Sequence, residues 1–242
     1  MGANVIMVAS GKGGTGKSTV AVMTGAALAA RGHRVLLVEL DSALRSVDYI
    51  AGVYGKTVYD VEDVLSGRCD AGKALVESPL YPGLFVISAP YSGGQVDAAA
   101  LQSFLHQAGD VFDEIVLDTA AGMGAPFEAA RSVADLALIC VTPDPVALRD
   151  GHIVCDALYE SCNQVRLVIN KVPRTLANQG IRDLDECIDT VGAQLLGVVP
   201  YSTALMRAGA TGTALGREEK AARVFTAIAA RLSGVHVPLI IR

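Results

Sequence analysis

The sequence lacks the patterns that mark disulfide-stabilised, zinc-binding and membrane-spanning proteins. Its five cysteines are scattered and include no C-x-x-C pair, which argues against a disulfide framework and against a zinc site. No apolar run approaches the roughly 20 residues that a membrane-spanning helix needs. The first strand pattern begins at Val5, which leaves no room for a signal peptide, so we expect a cytoplasmic protein with reduced thiols.

The sequence also has fewer basic than acidic residues. The chain has 20 Lys and Arg residues against 25 Asp and Glu residues, a formal net charge of −5. A protein that binds nucleic acid non-specifically usually carries a basic stripe, so this composition gives no indication of specific nucleic-acid binding. The C-terminal half contains the larger share of the basic residues, and a modest basic face there stays an open alternative.

What the chain does have is apolar residues in short runs, 51% hydrophobic content over 242 residues. This composition is typical of one α/β domain with a large buried core. Alternating strand and helix patterns predict a doubly wound, mainly parallel sheet of about seven or eight strands flanked by helices. The strands are expected at 5–9, 34–39, 83–88, 114–118, 136–141, 164–170 and 194–200, and helices include 20–30, 58–65, 71–76, 98–108 and 217–232. We assign residues 1–234 to this domain and residues 235–242 to a short C-terminal tail.

The most specific motif is S-G-K-G-G-T-G-K-S-T at positions 10–19, between a strand pattern and an alanine-rich helix pattern. It matches G-x-x-x-x-G-K-[ST], the phosphate-binding loop of P-loop NTPases, although a merely flexible glycine-rich turn is the alternative. Such a loop turns backbone N–H groups towards phosphate. Lys17 is expected to reach the β and γ phosphates and Ser18 to ligate Mg²⁺. The predicted nucleotide-binding residues here are Gly11, Gly13, Gly14, Thr15, Gly16, Lys17, Ser18 and Thr19.

A second lysine, Lys12, lies inside this loop just after its first glycine. The segment K-G-G-T-G-K-S-T at positions 12–19 resembles the deviant Walker A family of ATPases, the MinD and ParA group. The resemblance implies a Mg²⁺-dependent ATPase that forms a homodimer around ATP, with Lys12 of each subunit reaching across to the other subunit's nucleotide. The alternative for Lys12 is a solvated surface lysine.

Carboxylates stand at the ends of two predicted strands. Asp118 closes a buried run, which is the pattern of a Walker B aspartate that holds Mg²⁺; a helix cap is the alternative. Segment 41–48 resembles switch I, which implies that Asp41 orients the attacking water near Mg²⁺. Glu39 stands where relatives commonly have a second aspartate, and we expect it to reach the Mg²⁺ hydration shell through water. Asp48 could instead cap the next helix.

The resemblance also assigns residues to the γ phosphate, the base and a partner surface. A loop that resembles switch II places Gly122 near the γ phosphate. Asn170 is expected to hydrogen-bond the adenine edge, because an amide both donates and accepts. The backbone around Pro200 and Tyr201 is expected to pack on the base. A turn asparagine is the weaker alternative. Arg149 and Asp150 are candidate contacts for an activating protein partner, and a solvated helix face is equally compatible with them.

Together these assignments imply a slow, partner-stimulated ATP hydrolase that acts as a nucleotide switch for positioning or partitioning, at a cell division site or for another cargo. The implied catalytic residues are Lys12, Lys17 and Asp41, and the implied Mg²⁺ ligands are Ser18, Asp41 and Asp118. One alternative is a metal or iron–sulfur cluster insertion ATPase, which would need cysteine pairs at the dimer axis. Another is a small-molecule kinase or synthetase, which would need a further substrate pocket.

The tail departs from the pattern that the resemblance implies. MinD proteins typically end in a basic amphipathic helix that binds membrane, whereas residues 235–242 are short, interrupted by Pro238 and nearly free of positive charge. We therefore expect little membrane binding and a cytoplasmic protein, with a peripheral place at the inner membrane as the alternative.

Overall fold

A single sheet of eight strands runs through the computed structural model, which describes residues 2–42, 45–90 and 96–240. The strands are β1 (Asn4–Ala9), β2 (Val35–Glu39), β3 (Val76–Glu77), β4 (Leu84–Ile87), β5 (Glu114–Asp118), β6 (Leu136–Val141), β7 (Gln164–Val172) and β8 (Gln194–Pro200). Their spatial order is β3-β4-β2-β5-β1-β6-β7-β8, and all neighbours are parallel except β3 and β4. The predicted doubly wound, mainly parallel sheet is confirmed.

Helices cover both faces of this sheet. They are α1 (Lys17–Ala29), α2 (Ser46–Ile50), α3 (Val61–Leu65), α4 (Ala71–Ala74), α5 (Ala98–Ala108), α6 (Ala125–Arg131), α7 (Pro145–Tyr159), α8 (Leu184–Val191), α9 (Thr203–Thr211) and α10 (Lys220–Leu232). One apolar core lies under α5, α6, α7 and α8, and the other lies under α1, α2, α9 and α10. No helix within the described ranges is long and apolar enough to cross a membrane.

The central strands supply side chains to both cores in alternation. In β1, Met7 and Ala9 belong to one core and Ile6 and Val8 to the other, because successive side chains of a strand point to opposite faces. A strand that is buried on both faces is apolar throughout. This is why continuous apolar runs located the inner strands from the sequence.

Three strand ends define the edge at which functional residues gather. In the parallel register, Asp118 of β5 lies opposite Glu39 of β2 on one side and Val8 of β1 on the other. The loop between β1 and α1 therefore starts beside the carboxylates that close β2 and β5.

Two of the predicted helix boundaries are wrong. The helix expected over 71–76 ends at Ala74, and Val76 instead begins β3, the short antiparallel edge strand. The last helix begins at Lys220 rather than at position 217. Both errors arise at chain reversals, where side-chain patterning is short and tertiary pairing decides the conformation.

The helix expected over 58–65 is also shorter than predicted. It begins at Val61, because the side chain of Asp60 accepts hydrogen bonds from the N–H groups of Glu62 and Asp63 and so caps the first turn. A cap of this kind fixes the first residue of the helix, even where the apolar pattern begins earlier in the sequence.

Candidate active site

The loop between β1 and α1 is closely packed rather than loose. Gly14 and Gly16 have φ angles of 81° and 91°, a region that favours glycine. A Cβ atom on Gly16 would collide with the side-chain amide of Asn170, and one on Gly11 would collide with the backbone of Asp150. The alternative of a merely flexible turn is therefore wrong, since these glycines allow close approach to β7 and α7.

The end of β7 fixes the direction of peptide groups in this loop. The Asn170 side chain donates to the carbonyl of Thr15 at 2.8 Å, and the Lys171 ammonium donates to the carbonyl of Gly14 at 2.7 Å. In a trans peptide the next N–H points opposite to the C=O. The N–H groups of Thr15 and Gly16 therefore point away from those β7 side chains, and such aligned amides form an anion-binding site.

Lys17, at the start of α1, lies among the carboxylates of the strand ends. Its Nζ is 2.9 Å from Oδ1 of Asp118 and 4.0 Å from Oδ2 of Asp41. Lys17 and Asp118 are both buried. Burial raises the pKa of the Asp118 carboxyl above its usual value, and the nearby Lys17 ammonium opposes that rise. The P-loop lysine and the Walker B carboxylate thus form one buried ion pair.

The second oxygen of Asp118 indicates what else the site can hold. Oδ2 is buried and has no hydrogen-bond partner among the described residues, which is costly for a carboxylate unless an ion or water completes it. The nearby Ser18 side chain also opposes the rise in the pKa of Asp118, and Asp41 lies near the Lys17 ammonium. Oxygen donors of these kinds, with water and phosphate oxygens, are what Mg²⁺ takes. The residues therefore fit a hydrated Mg²⁺ ion, although no cluster of three or more His, Cys, Asp or Glu side chains among the described residues could hold a metal alone.

Glu39 makes backbone contacts that the sequence did not predict. Its side chain is fully buried and accepts hydrogen bonds from the N–H groups of Val47, at 3.1 Å, and Ala89, at 3.4 Å. Burial raises the pKa of the Glu39 carboxyl to about 8, helped by the nearby carboxylates of Asp118 and Asp48. The carboxyl ties α2 to the end of β2, and its contact with the Mg²⁺ hydration shell stays a prediction.

We expect the Glu39→Gln variant to gain stability over the wild type as pH rises. With a folded pKa near 8 and an ordinary value of 4.5, native Glu39 keeps a proton that the unfolded chain has already released. Stability from this group is therefore lost between about pH 4.5 and 8, whereas glutamine stays neutral. Denaturant titrations in EDTA should give similar free energies of unfolding at pH 4.5. At pH 8.5 the variant should be more stable by about 4 kcal/mol. A constant difference across this range would contradict the assignment.

Asp48 does not cap the next helix, so that alternative is wrong. It lies inside α2, is buried, and pairs with Arg45 at 2.8 Å while accepting a hydrogen bond from the Ser88 hydroxyl. Arg45 itself precedes α2 with a φ of 44°. This buried pair holds the end of the expected switch I segment; positions 43 and 44 of that segment lie outside the described residues.

Lys12 lies on the outer rim of the loop. Its side chain is 43% exposed, and its Nζ is 3.3 Å from Oδ1 of Asp144. Asp144 also accepts the Ala147 N–H and so caps α7. An ion pair this exposed is weak. Lys12 is therefore an exposed lysine that pairs with a carboxylate of its own chain.

The loop after β5 contacts the phosphate-binding loop directly. Gly122 has a φ of 84°, and its N–H donates to the carbonyl of Ser10 at 2.8 Å. The Thr119 hydroxyl donates to the carbonyl of Val8 at 3.0 Å. Gly122 therefore lies next to the start of the phosphate-binding loop, and its place near the γ phosphate stays a prediction.

A cavity of about 410 Å³ opens beside the start of α1 and contains the expected base-binding residues. Asn170 is only 2% exposed, and β7 continues past it to Val172, so Asn170 is a strand residue and the turn alternative is wrong. Its amide nitrogen donates one hydrogen bond, to the carbonyl of Thr15, which leaves a second N–H and the oxygen Oδ1 of the same amide. Pro200 lines the same cavity, together with Tyr201. The cavity thus presents an amide group within largely apolar walls.

Arg149 and Asp150 lie in the first half of α7. The Arg149 side chain is 68% exposed and donates to Oδ1 of Asp150 at 2.7 Å. Gly11 packs so close to the backbone of Asp150 that a Cβ atom on Gly11 would collide with it. This pair is therefore a surface feature that abuts the phosphate-binding loop.

Sequence reasoning missed three residues that shape the site. Lys171 holds the loop carbonyl of Gly14, Asp144 holds Lys12, and Arg45 holds Asp48. The two pairs that join distant segments could not be found from local patterns. Only the spacing of Arg45 and Asp48, three positions apart, is a signal that the sequence itself carries.

Comparison with known proteins gives consistent matches over nearly the whole chain. A sequence model of the CobQ/CobB/MinD/ParA nucleotide binding domain matches residues 6–215. The septum site-determining protein MinD of Synechocystis sp. is 33% identical over 243 residues, which covers 98% of this chain and 91% of that protein. The structure of the MinC:MinD cell division protein complex of Aquifex aeolicus matches with a TM-score of 0.90 at 30% identity, covering 98% of both chains. The septum site-determining protein MinD of Pyrococcus horikoshii, complexed with Mg-ADP, matches with a TM-score of 0.83 over 95% of this chain and 96% of that one; its 22% identity shows the fold alone.

Proposed function

Because this chain belongs to the CobQ/CobB/MinD/ParA family of nucleotide-binding domains and is an ATPase of the MinD type, we propose that it is a nucleotide switch in which ATP joins two copies and hydrolysis separates them. The observation that carries this proposal is the contrast between two lysines of one loop. The Lys17 side chain is 6% exposed and held by its own subunit's carboxylates, whereas the Lys12 side chain is 43% exposed on the rim. One lysine serves the subunit's own site, and the other faces outwards.

In the proposed reaction the chain positions groups and stabilises charge. Lys17 and the loop N–H groups neutralise the β and γ phosphates of ATP. Ser18, Asp41 and Asp118 are the residues that would hold Mg²⁺, which would supply further positive charge to neutralise the phosphates. Asp41 also orients the water that attacks the γ phosphorus. No side chain forms a covalent bond to the phosphoryl group.

Base recognition rests on the side-chain amide of Asn170. One of its N–H groups is engaged with Thr15, so Oδ1 and the second N–H are the groups that remain for a ligand. Oδ1 suits the exocyclic amine of adenine, and the N–H suits an adjacent ring nitrogen. This arrangement supports ATP as the substrate, with the backbone at Pro200 packed on the base.

Dimer formation would exchange the partner of Lys12. In one subunit the ammonium is paired with Asp144 at 3.3 Å in an exposed position, where an ion pair contributes about 0–1 kcal/mol. A triphosphate of the second subunit, with more negative charge and less solvent around it, is a stronger partner. ATP thus favours the dimer, and loss of the γ phosphate weakens it.

The names of relatives suggest the task that this switch performs. The Synechocystis relative is a septum site-determining protein, and the Aquifex aeolicus relative was solved as a MinC:MinD complex. We infer by analogy a cytoplasmic positioning role, at a division site or for another cargo. A protein partner would contact α7 at Arg149 and Asp150, which abut the phosphate-binding loop through Gly11.

The experiment that tests this function measures ATP turnover with and without Mg²⁺, in the presence and absence of candidate acceptor metabolites. We expect slow Mg²⁺-dependent release of phosphate that no metabolite is needed to support. Transfer of phosphate to a metabolite would favour the kinase or synthetase alternative. Bound iron or another transition metal at about one equivalent per dimer, found by elemental analysis of freshly purified protein, would favour the insertion ATPase.

The tail is bound to the domain by one arginine. Arg231 of α10 donates to the carbonyls of Val237, at 3.0 Å, and Pro238, at 2.6 Å, and also to the carbonyl of Leu196 in β8. Ile240 packs against one of the cores. Positions 241 and 242 of the predicted tail lie outside the described residues. These contacts support a structural task for the tail, at the edge of the sheet.

We expect deletion of residues 235–242 to reduce stability more than lipid binding. The Arg231 guanidinium would lose two acceptors, so the free energy of unfolding should fall by about 1–3 kcal/mol. Co-sedimentation of the ATP-bound protein with anionic liposomes should be weak both before and after the deletion. Arg231→Lys, which keeps the charge but not the planar donors, is the matched control and should lose part of the same stability. Strong ATP-dependent sedimentation that the deletion abolishes would show that the tail is a membrane anchor.

A further inference from the structure

We propose that Tyr49 stacks on the base of the bound nucleotide and so adds an aromatic contact to the recognition made by Asn170. This inference rests on the proposed nucleotide site. The 410 Å³ cavity that contains Asn170 is also lined by Tyr49 and Ile50 of α2 and by Leu205 and Met206 of α9. The ring therefore belongs to the same cavity as the amide that faces the base.

The exposure of the Tyr49 ring would be explained by a ligand that covers it when bound. Its side chain is 46% exposed, and Tyr201 and Met206, which also line the cavity, are 54% and 51% exposed. These three large side chains surround one opening instead of being scattered. Apolar surface concentrated at the rim of a cavity is typical of a ligand site.

A second tyrosine holds the ring in place. Tyr54 is stacked on Tyr49, with the ring centroids 4.1 Å apart and the planes 25° from parallel. The backbone N–H groups of Val53 and Tyr54 both donate to the carbonyl of Asp48, at 2.8 and 3.0 Å, which fixes the turn after α2. With one face covered by Tyr54, the Tyr49 ring has little freedom to lose on binding, and preorganised aromatic side chains bind flat ligands at low entropic cost.

Glycines at the end of α9 allow this helix to pack closely against α2. A Cβ on Gly209 would lie 3.6 Å from a side-chain atom of Ile50, and a Cβ on Gly212 would lie 3.2 Å from the carbonyl of Tyr49. Gly212 also has a φ of 61°. This packing of α9 against α2 keeps Tyr49 at the cavity mouth and limits its retreat when a base enters.

The test compares Mg-ADP with Mg-pyrophosphate, which carries the same phosphates without ribose and base, by isothermal titration calorimetry. Tyr49→Leu keeps an apolar side chain of similar reach but no ring, and Tyr49→Phe keeps the ring. We expect the leucine variant to bind Mg-ADP about tenfold more weakly, the lower range for loss of one base-stacking side chain. The phenylalanine variant should bind Mg-ADP as the wild type does. Pyrophosphate affinity should be the same in all three proteins, and Tyr54→Ala should give an intermediate loss for ADP.

Each result bears on the inference. Equal ADP affinity in the wild type and Tyr49→Leu would overturn it while leaving the proposed ATPase intact. A loss of the same size for pyrophosphate would also overturn it, because the effect would then lie in the phosphate site or the fold. If the wild type bound neither ligand, the proposed function would fail and this inference with it. Thermal unfolding of each variant, followed by circular dichroism, distinguishes that case from a misfolded variant.

Discussion

Lys17→Ala is expected to abolish nucleotide binding, with a Kd for Mg-ATP raised by at least about 100-fold. The Lys17 ammonium is the one buried cation at the mouth of the loop among the residues that the structure describes, and it lies 2.9 Å from Asp118. Without it, the β and γ phosphates would approach two carboxylates with no local compensation. Calorimetric titration with Mg-ATP measures the effect.

Stability must be separated from binding in this experiment. Removing one member of a buried ion pair leaves an uncompensated charge and costs about 3–5 kcal/mol. The double variant Lys17→Ala with Asp118→Asn removes both charges, so it should recover much of the stability of the wild type and still fail to bind nucleotide. Restored binding in the double variant would show that Lys17 only supports the fold.

Lys12→Ala should have the opposite phenotype. Because Lys12 is exposed and paired only with Asp144 in its own subunit, its loss should leave the Kd for Mg-ATP within about threefold of the wild type. ATP-dependent dimerisation, however, should disappear. Lys56→Ala is the control, an exposed lysine far from the loop in sequence. Equal losses of nucleotide affinity in the Lys12 and Lys17 variants would contradict the assignment of the two lysines to different sites.

Asp41→Ala is expected to bind ATP and dimerise but to lower the rate of hydrolysis at least about 100-fold. Asp41 follows β2 and lies 4.0 Å from the Lys17 ammonium, where a carboxylate can orient water without being needed to hold the phosphates. Single-turnover phosphate release measures the rate, and light scattering measures the dimer.

The control for this variant is Asp110→Ala, an exposed carboxylate that precedes β5 at the end of the sheet away from the loop. It should hydrolyse ATP at the wild-type rate. Hydrolysis by Asp41→Ala at that same rate would mean that another group orients the water. Loss of ATP binding by Asp41→Ala would mean that the carboxylate acts mainly through the metal.

The inner strands and the phosphate-binding loop could be predicted because their signals are local. Strands β5, β6 and β8 have the bounds that their apolar runs predicted, since strands covered on both faces need apolar residues throughout. The loop motif fixes its own geometry through glycines and the following helix. The approach of Asp118 to Lys17 also follows from sequence, because parallel strands end at one edge.

Other elements depend on contacts between distant segments. Helices α2, α6, α8 and α9 were not predicted, since they have five to nine residues each and owe their stability to tertiary packing. Glu39 was expected near the Mg²⁺ hydration shell because of its position at the end of β2. The hydrogen bonds that it accepts from the N–H groups of Val47 and Ala89 were not predicted, because no spacing rule reveals them. Tyr49 was missed for the same reason, because its ring meets the cavity only through the docking of α2 on α9.

The central claim, an ATP-dependent dimer, is tested most directly by size-exclusion chromatography with light scattering on Asp41→Ala, which should retain its ATP. With Mg-ADP the protein should elute with the monomer mass of 25.1 kDa, and with Mg-ATP it should elute with twice that mass. The added change Lys12→Ala should return the ATP sample to the monomer mass. The same mass with both nucleotides, whether monomer or dimer, would contradict a switch that depends on the γ phosphate.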